Sequence, residues 1–192
     1  GFTINDHYGK RRWLSVPEIF IYSSNIGAGH MALDIGAKMQ KSYLGRLGLL
    51  HRAAIELPEV GTPIVPGNWR RTQTVTISFG HGISVSPLQL TAAIAASVNG
   101  GIFHQPTVVE TSHNKNGKRV FTEATSRKMR QLLRLSVLEG TGKAAAARGY
   151  LVGGKTGSAE KRGANGYDKD LLISSFVGVF PIIKPRYAVF AM

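Results

Sequence analysis

The chain has no cysteine, which excludes disulfides and thiolate metal sites and leaves the redox compartment open. Acidic residues are scarce: 11 Asp and Glu stand against 24 Lys and Arg, a formal net charge of +13. A surplus of that size favours acidic partners of any kind, including nucleic acid, an anionic wall polymer or a membrane surface. The basic residues are scattered, however. The densest clusters are Lys10-Arg11-Arg12 and Trp69-Arg70-Arg71, with no long basic block and no zinc-finger spacing, and this argues against nucleic acid. Long apolar runs are missing too. The longest, Leu171 to Ile183, is broken by Ser174, Ser175 and Pro181 and is too short to span a bilayer. No signal peptide is visible. The six histidines lack ligand spacing with one another or with acids, so a metal site is not expected.

What remains is an ordinary globular composition, 43% hydrophobic and 18% charged over 192 residues, enough for one domain with a real core. The first residue is Gly1, and Met192 ends inside the apolar run that starts at Tyr187. Both ends read as cuts through a larger protein.

Ser15-Val16-Pro17-Glu18 predicts a helix start, because proline suits the first turn. The polar break Ser23-Ser24-Asn25 follows, and then a second helix carrying Ile26, Met31, Leu33 and Ile35. Ser23 and Asn25 taken alone read as helix caps. Residues 57 to 75 read as loop on their proline and glycine content. Ser86-Pro87-Leu88-Gln89 combines a cap, a first-turn proline and a capping-box glutamine. Leu90, Ala93, Ile94 and Ser97 then share a face, and Gly100-Gly101 ends that helix.

Thr107-Val108-Val109 and Arg119-Val120-Phe121 flank Asn116-Gly117, which predicts a hairpin. Glu123 to Glu139 carries the clearest helical period, through Met129, Leu132, Leu133, Ser136 and Val137. Beyond Gly149 come three strand-like runs joined by short turns. Helices first and strands last predict an α+β fold with an antiparallel sheet, helical over about 1–148 and sheet over about 149–192.

Gly149 to Thr156 fits the phosphate-loop pattern G-x-x-x-x-G-K-[ST] letter for letter. A phosphate loop needs a strand before it and a helix after it, so that backbone N–H groups aim at phosphate. Tyr150, Leu151 and Val152 are strand formers in the supposed loop, and residues 157–166 carry no helical stripe. The competing reading makes Lys155-Thr156-Gly157 a strand edge. Alternation puts Lys155 and Gly157 on one face and Thr156 on the other. A glycine at an edge admits a peptide backbone as an added strand. A cation and hydroxyls beside it hold a terminal carboxylate.

Lys155-Thr156-Gly157 together with Ser23-Ser24-Asn25 resembles the K-T-G and S-x-N motifs of penicillin-binding proteins and serine β-lactamases. Tyr22 to Gly27, Ser78 to Leu90 and Gly154 to Ala159 occur in the family order and cover most of the chain. They look most like the class B monofunctional transpeptidases, in particular the division-specific septal branch. The resemblance implies an antiparallel sheet flanked by helices, incomplete in this chain, and a D,D-transpeptidase that cross-links peptidoglycan stem peptides ending in D-Ala-D-Ala. It implies inhibition by β-lactams, no cofactor, divisome membrane partners, and a place on the periplasmic face of the inner membrane. By motif, Ser23 relays protons with a catalytic lysine and Asn25 hydrogen-bonds the substrate amide or that lysine. Lys155 supplies positive potential, Thr156 and Ser158 bind the substrate's carboxylate, Gly157 is a further substrate-binding position, and the Ser158 N–H forms half of an oxyanion hole.

The family's nucleophile lies in S-x-x-K, N-terminal to S-x-N. Only 22 residues precede Ser23 and none forms that motif. Ser112–Lys115 and Ser158–Lys161 match by letter, but both follow S-x-N. One sits in the hairpin turn and the other in a strand, where positions three apart face opposite ways. The expectation is therefore the C-terminal part of a transpeptidase domain, needing its N-terminal part for activity. A non-catalytic module for β-lactams or wall peptides, and a D,D-carboxypeptidase, are the alternatives. Asp168 and Asp170 read as solvated turn residues, and Trp13 and Trp69 as partly packed.

Overall fold

The computed structural model describes residues 3–110, 117–163 and 166–192, with side chains outside 160–171. It is α+β. Six helices come first: α1 (Val16–Ile21), α2 (Asn25–Ile35), α3 (Ala37–Arg46), α4 (Arg71–Ser78), α5 (Pro87–Val98) and α6 (Glu123–Leu138). A short pair, β1 (Ile102–Phe103) and β2 (Lys118–Arg119), interrupts them. The chain ends in β3 (Gly153–Gly163), β4 (Gly166–Phe180) and β5 (Tyr187–Ala191), an antiparallel sheet in the order β3-β4-β5.

The expected helix starts form for the expected reasons. Glu18 folds back on Ser15, accepting from its backbone N–H at 2.8 Å and its hydroxyl at 2.9 Å. Arg12 adds an ion pair to the same carboxylate at 2.6 Å. These contacts hold the Glu18 carboxyl down at about 2, with the hydrogen bond from Arg12 the largest cause. A carboxylate with a depressed folded-state pKa stabilises the fold above its unfolded value, and the effect vanishes as pH falls through the folded one. We expect the melting temperature of wild type to exceed that of Glu18→Gln above pH 4.5, and the two to converge as pH falls toward about 2. A constant gap across that range in paired thermal melts would contradict this.

In α5, Ser86 accepts from the Gln89 N–H at 3.2 Å and its own N–H donates to Gln89 Oε1 at 3.1 Å, a complete capping box. The α6 stripe buries Leu133, Ser136 and Val137. Leu133 meets Val98, Val179 and Ile182 in the core, with Phe20, Ile94 and Met129 packed against them. Helix α6 thus lies on the sheet. Gly153 permits the contact: a Cβ there would sit 3.2 Å from the Arg134 backbone nitrogen. Arg134 Nη1 also donates to the Val152 carbonyl at 2.8 Å.

Several expectations change. Residues 71–75, expected in a loop, open helix α4, which buries Thr74 and Ile77. Helix α3 had no sequence signal; Gln40 ties it to the Thr74 carbonyl at 2.9 Å and accepts from Trp69 Nε1 at 2.9 Å. The partner of the 118–119 strand is 102–103, not 107–109. Thr107 and Val108 instead donate to the Glu56 carboxylate at 2.7 and 3.2 Å. Asn116 and Ser112–Lys115 lie outside the described residues. Tyr150-Leu151-Val152 precedes the strand rather than forming it. Trp13, expected to be partly packed, is 97% exposed.

Candidate active site

Three segments converge. The first is the turn between α1 and α2. Its cap is Ser24, not Ser23 or Asn25: Ser24 Oγ accepts from the Gly27 N–H at 3.0 Å and is nearly buried. That leaves Ser23 in the left-handed region at φ 54°, a conformation non-glycine residues seldom adopt away from functional turns. The second segment is β3, an end strand of its sheet, which carries Lys155, Thr156, Gly157 and Ser158. The third is the link after α6, Gly140-Thr141-Gly142.

The link joins the other two. Thr141 N–H donates to the Ile21 carbonyl at 3.1 Å, locking the end of α6 to the end of α1. Thr156 Oγ1 donates to Thr141 Oγ1 at 2.7 Å, which ties β3 to the same link. As a result Lys155 Nζ donates to Ser23 Oγ across 132 residues of sequence. The same ammonium donates to the Thr156 carbonyl at 3.0 Å. No carboxylate pairs with it among the described residues. Burial without a counter-charge pulls the Lys155 ammonium below its ordinary value of 10.5. Such a group gains most from an anion that comes to it.

Gly157 and Ser158 are exposed on the strand. A Cβ on Gly157 would stand 2.7 Å from Ser175 Oγ. Beside Lys155, Thr156 and Gly157 lies a cavity of about 310 Å³, walled by Phe20, Ile94, Met129, Leu133 and Phe190. Asn25 turns toward the N-terminal segment, where its Nδ2 donates to the Asn5 carbonyl at 3.1 Å. Asp6 of that segment accepts from Ser24 Oγ at 2.9 Å and from the Ile26 N–H at 3.0 Å. Thr141 and Asp6 were missed in the sequence. Neither has a spacing signal; each reaches its partner only through the fold.

The phosphate-loop reading fails on this geometry. Residues 153–163 form a strand, so no helix N-terminus follows Lys155 to receive phosphate. Among the described residues there is no cluster of three or more His, Asp or Glu placed to hold a metal.

The model of the penicillin-binding protein transpeptidase domain matches residues 1–192. The chain belongs to this family. It is 35% identical over 193 residues to the probable peptidoglycan D,D-transpeptidase FtsI of Caulobacter vibrioides, covering 97% of this chain and 33% of that protein. It is 30% identical to the peptidoglycan D,D-transpeptidase FtsI of Escherichia coli K12, again over 97% of this chain and 33% of the relative. The chain therefore spans about one third of the length of these relatives. Among solved structures, the transpeptidase domain of Burkholderia pseudomallei penicillin-binding protein 3 superposes with a TM-score of 0.85 at 34% identity, covering 92% of this chain and 55% of that one. Penicillin-binding protein 3 of Mycobacterium tuberculosis, solved with aztreonam, gives 0.85 at 26% identity over 92% of this chain and 44% of its own. The α+β fold and the class B transpeptidase assignment follow.

Proposed function

We propose that this chain supplies two walls of a peptidoglycan D,D-transpeptidase site. The observation that carries the reading is the meeting of Lys155 Nζ with Ser23 Oγ beside the free edge of β3. A stem peptide ending in D-Ala-D-Ala lies along that edge as an added strand. Its carboxylate is held by the potential of Lys155 and by the hydroxyls of Thr156 and Ser158. Gly157 admits its backbone.

A serine hydroxyl from the N-terminal part of the same domain attacks the penultimate D-Ala carbonyl carbon. The Ser158 N–H is one of the donors to the oxyanion. The C–N bond to the last D-alanine breaks, and that residue leaves with the proton. The amine of a neighbouring stem peptide then displaces the serine, restoring its hydroxyl and forming the cross-link. Ser23 passes protons between the catalytic lysine and the leaving amine. One Asn25 Nδ2 hydrogen goes to the Asn5 carbonyl, which leaves the second hydrogen and Oδ1 for the substrate amide or the lysine. β-Lactams imitate the D-Ala-D-Ala end, and the mycobacterial penicillin-binding protein 3 was solved with aztreonam.

On this reading the site works on the periplasmic face of the inner membrane, among division proteins. No helix of the described residues is long and apolar enough to cross a membrane.

The test is the full-length protein with a donor stem pentapeptide and an amine acceptor. Release of D-alanine in step with a cross-linked product, both blocked by a β-lactam, supports the reading. D-alanine release with water as sole acceptor makes it a carboxypeptidase, and β-lactam binding without turnover makes it a binding module. Thr141 carries a sharper expectation. Thr141→Val keeps the shape and removes the partner of Thr156 Oγ1. The loss of one hydrogen bond should slow acylation by a fluorescent penicillin roughly three- to ten-fold with the melting temperature unchanged.

A further inference from the structure

A second concave surface lies away from this site. It is a groove of about 880 Å³ between α3, the turn at residues 47–54, the start of α5 and the β1–β2 pair. Its floor is apolar and includes Leu47, Leu50, Ala92 and Phe103. Its rim is cationic: Lys38, Lys41, Arg46, Arg52 and Lys118, with His51 and His104 beside them. Among the described residues no carboxylate lines it. Three of the rim cations are held without a carboxylate partner among the described residues. Arg46 Nη2 donates to the Arg119 and Val120 carbonyls at 2.8 and 3.0 Å, and Arg52 Nη2 to the Pro58 carbonyl at 2.6 Å. Lys41 stands 5.7 Å from the Trp69 ring centre. Carbonyls and a ring fix these groups in place while leaving their charge uncompensated.

The floor is built as well. Gln89 is 3% exposed, and its Nε2 donates to the Gly48 and His51 carbonyls at 2.9 and 2.8 Å. Its Oε1 meanwhile caps α5. One buried side chain thus pins the 47–51 turn over the first turn of that helix.

We infer that this groove docks an extended acidic peptide segment of a partner protein, with apolar side chains on the floor and carboxylates on the rim. Charge complementarity demands an anion, and the apolar floor demands that the anion be amphiphilic. Two stretches that line the groove, 52–54 and 104–106, belong to no helix or named strand.

The test uses the full-length protein and a fluorescein-labelled ten-residue peptide of alternating Glu and Leu. Saturable binding is expected, weakened at least ten-fold by the double charge reversal K38E/K118E and little changed by R127E/K128E on the exposed face of α6. An all-Glu peptide should bind at least ten-fold more weakly. Fluorescent-penicillin labelling of both variants checks that the fold is intact. Absence of saturable binding would overturn the inference. So would equal loss in the two reversals, or equal binding of the all-Glu peptide, short polyphosphate or anionic vesicles, which would mark a general basic surface.

Discussion

In the full-length protein, Lys155→Met is expected to slow acylation by a fluorescent penicillin by about 10²–10³-fold, the usual cost of removing one preorganised electrostatic group from a transition state. The same variant should melt at or above the wild-type temperature. The ammonium is part-buried and meets only a hydroxyl and a carbonyl among the described residues, so its charge costs stability in the empty site. Loss of function with gain of stability separates a group placed for chemistry from one placed for packing. The pH dependence has a definite sign. Burial lowers the folded-state pKa, so the lysine loses its proton below the ordinary 10.5. The alkaline limb of acylation therefore falls below that value. Between the folded and unfolded values the unfolded chain binds more protons, so this group adds stability as pH rises through that window. A Lys155→Met protein that acylates at the wild-type rate would remove Lys155 from the site.

The second large effect comes from Gly140, which touches no substrate. A Cβ there would lie 2.5 Å from the Ile21 carbonyl oxygen and 3.0 Å from the Ser136 Cα, both backbone atoms that have nowhere to go. Gly140→Val forces the ends of α1 and α6 apart. It breaks the Thr141–Ile21 hydrogen bond and carries Thr141 away from Thr156. The expected cost is about 3 kcal/mol, or roughly 6–12 °C in melting temperature for a domain of this size. Acylation should fall as well, even where the variant is fully folded. Gly61→Val is the control, since a Cβ at Gly61 meets nothing within 4 Å. A Gly140→Val protein with wild-type melting and acylation would show that the link after α6 does not position the site.

The elements legible in the sequence were those with local causes. Ser15-Glu18 and Ser86-Gln89 announce helices because their caps close within four residues. Helix α6 announces itself by its stripe. Helices α3 and α4 have no such marks. Gly36 leads α3 with no side-chain cap, and no residue of that helix is buried. The β-branched residues of α4 favour strand, and it is helical because Thr74 and Ile77 pack inward. The arm expected at 107–109 has the composition of a strand, but the Glu56 carboxylate captures it.

The site was legible in one respect. Lys155 and Ser23 could be paired by motif order, and the fold brings them into contact. What holds them together was not legible. Ser24 displaces its neighbours as the cap, Asp6 braces it from 18 residues away, and Thr141 sits in a Gly-Thr-Gly link that resembles any turn.

The most direct measurement is to treat the full-length protein and the 192-residue chain side by side with a fluorescent penicillin, and to map any adduct by peptide mass spectrometry. The account predicts a stable adduct in the full-length protein alone, on an S-x-x-K serine outside residues 1–192, and lost in Lys155→Met. A stable adduct on the isolated chain, or one mapped to Ser23 or Ser158, would contradict it.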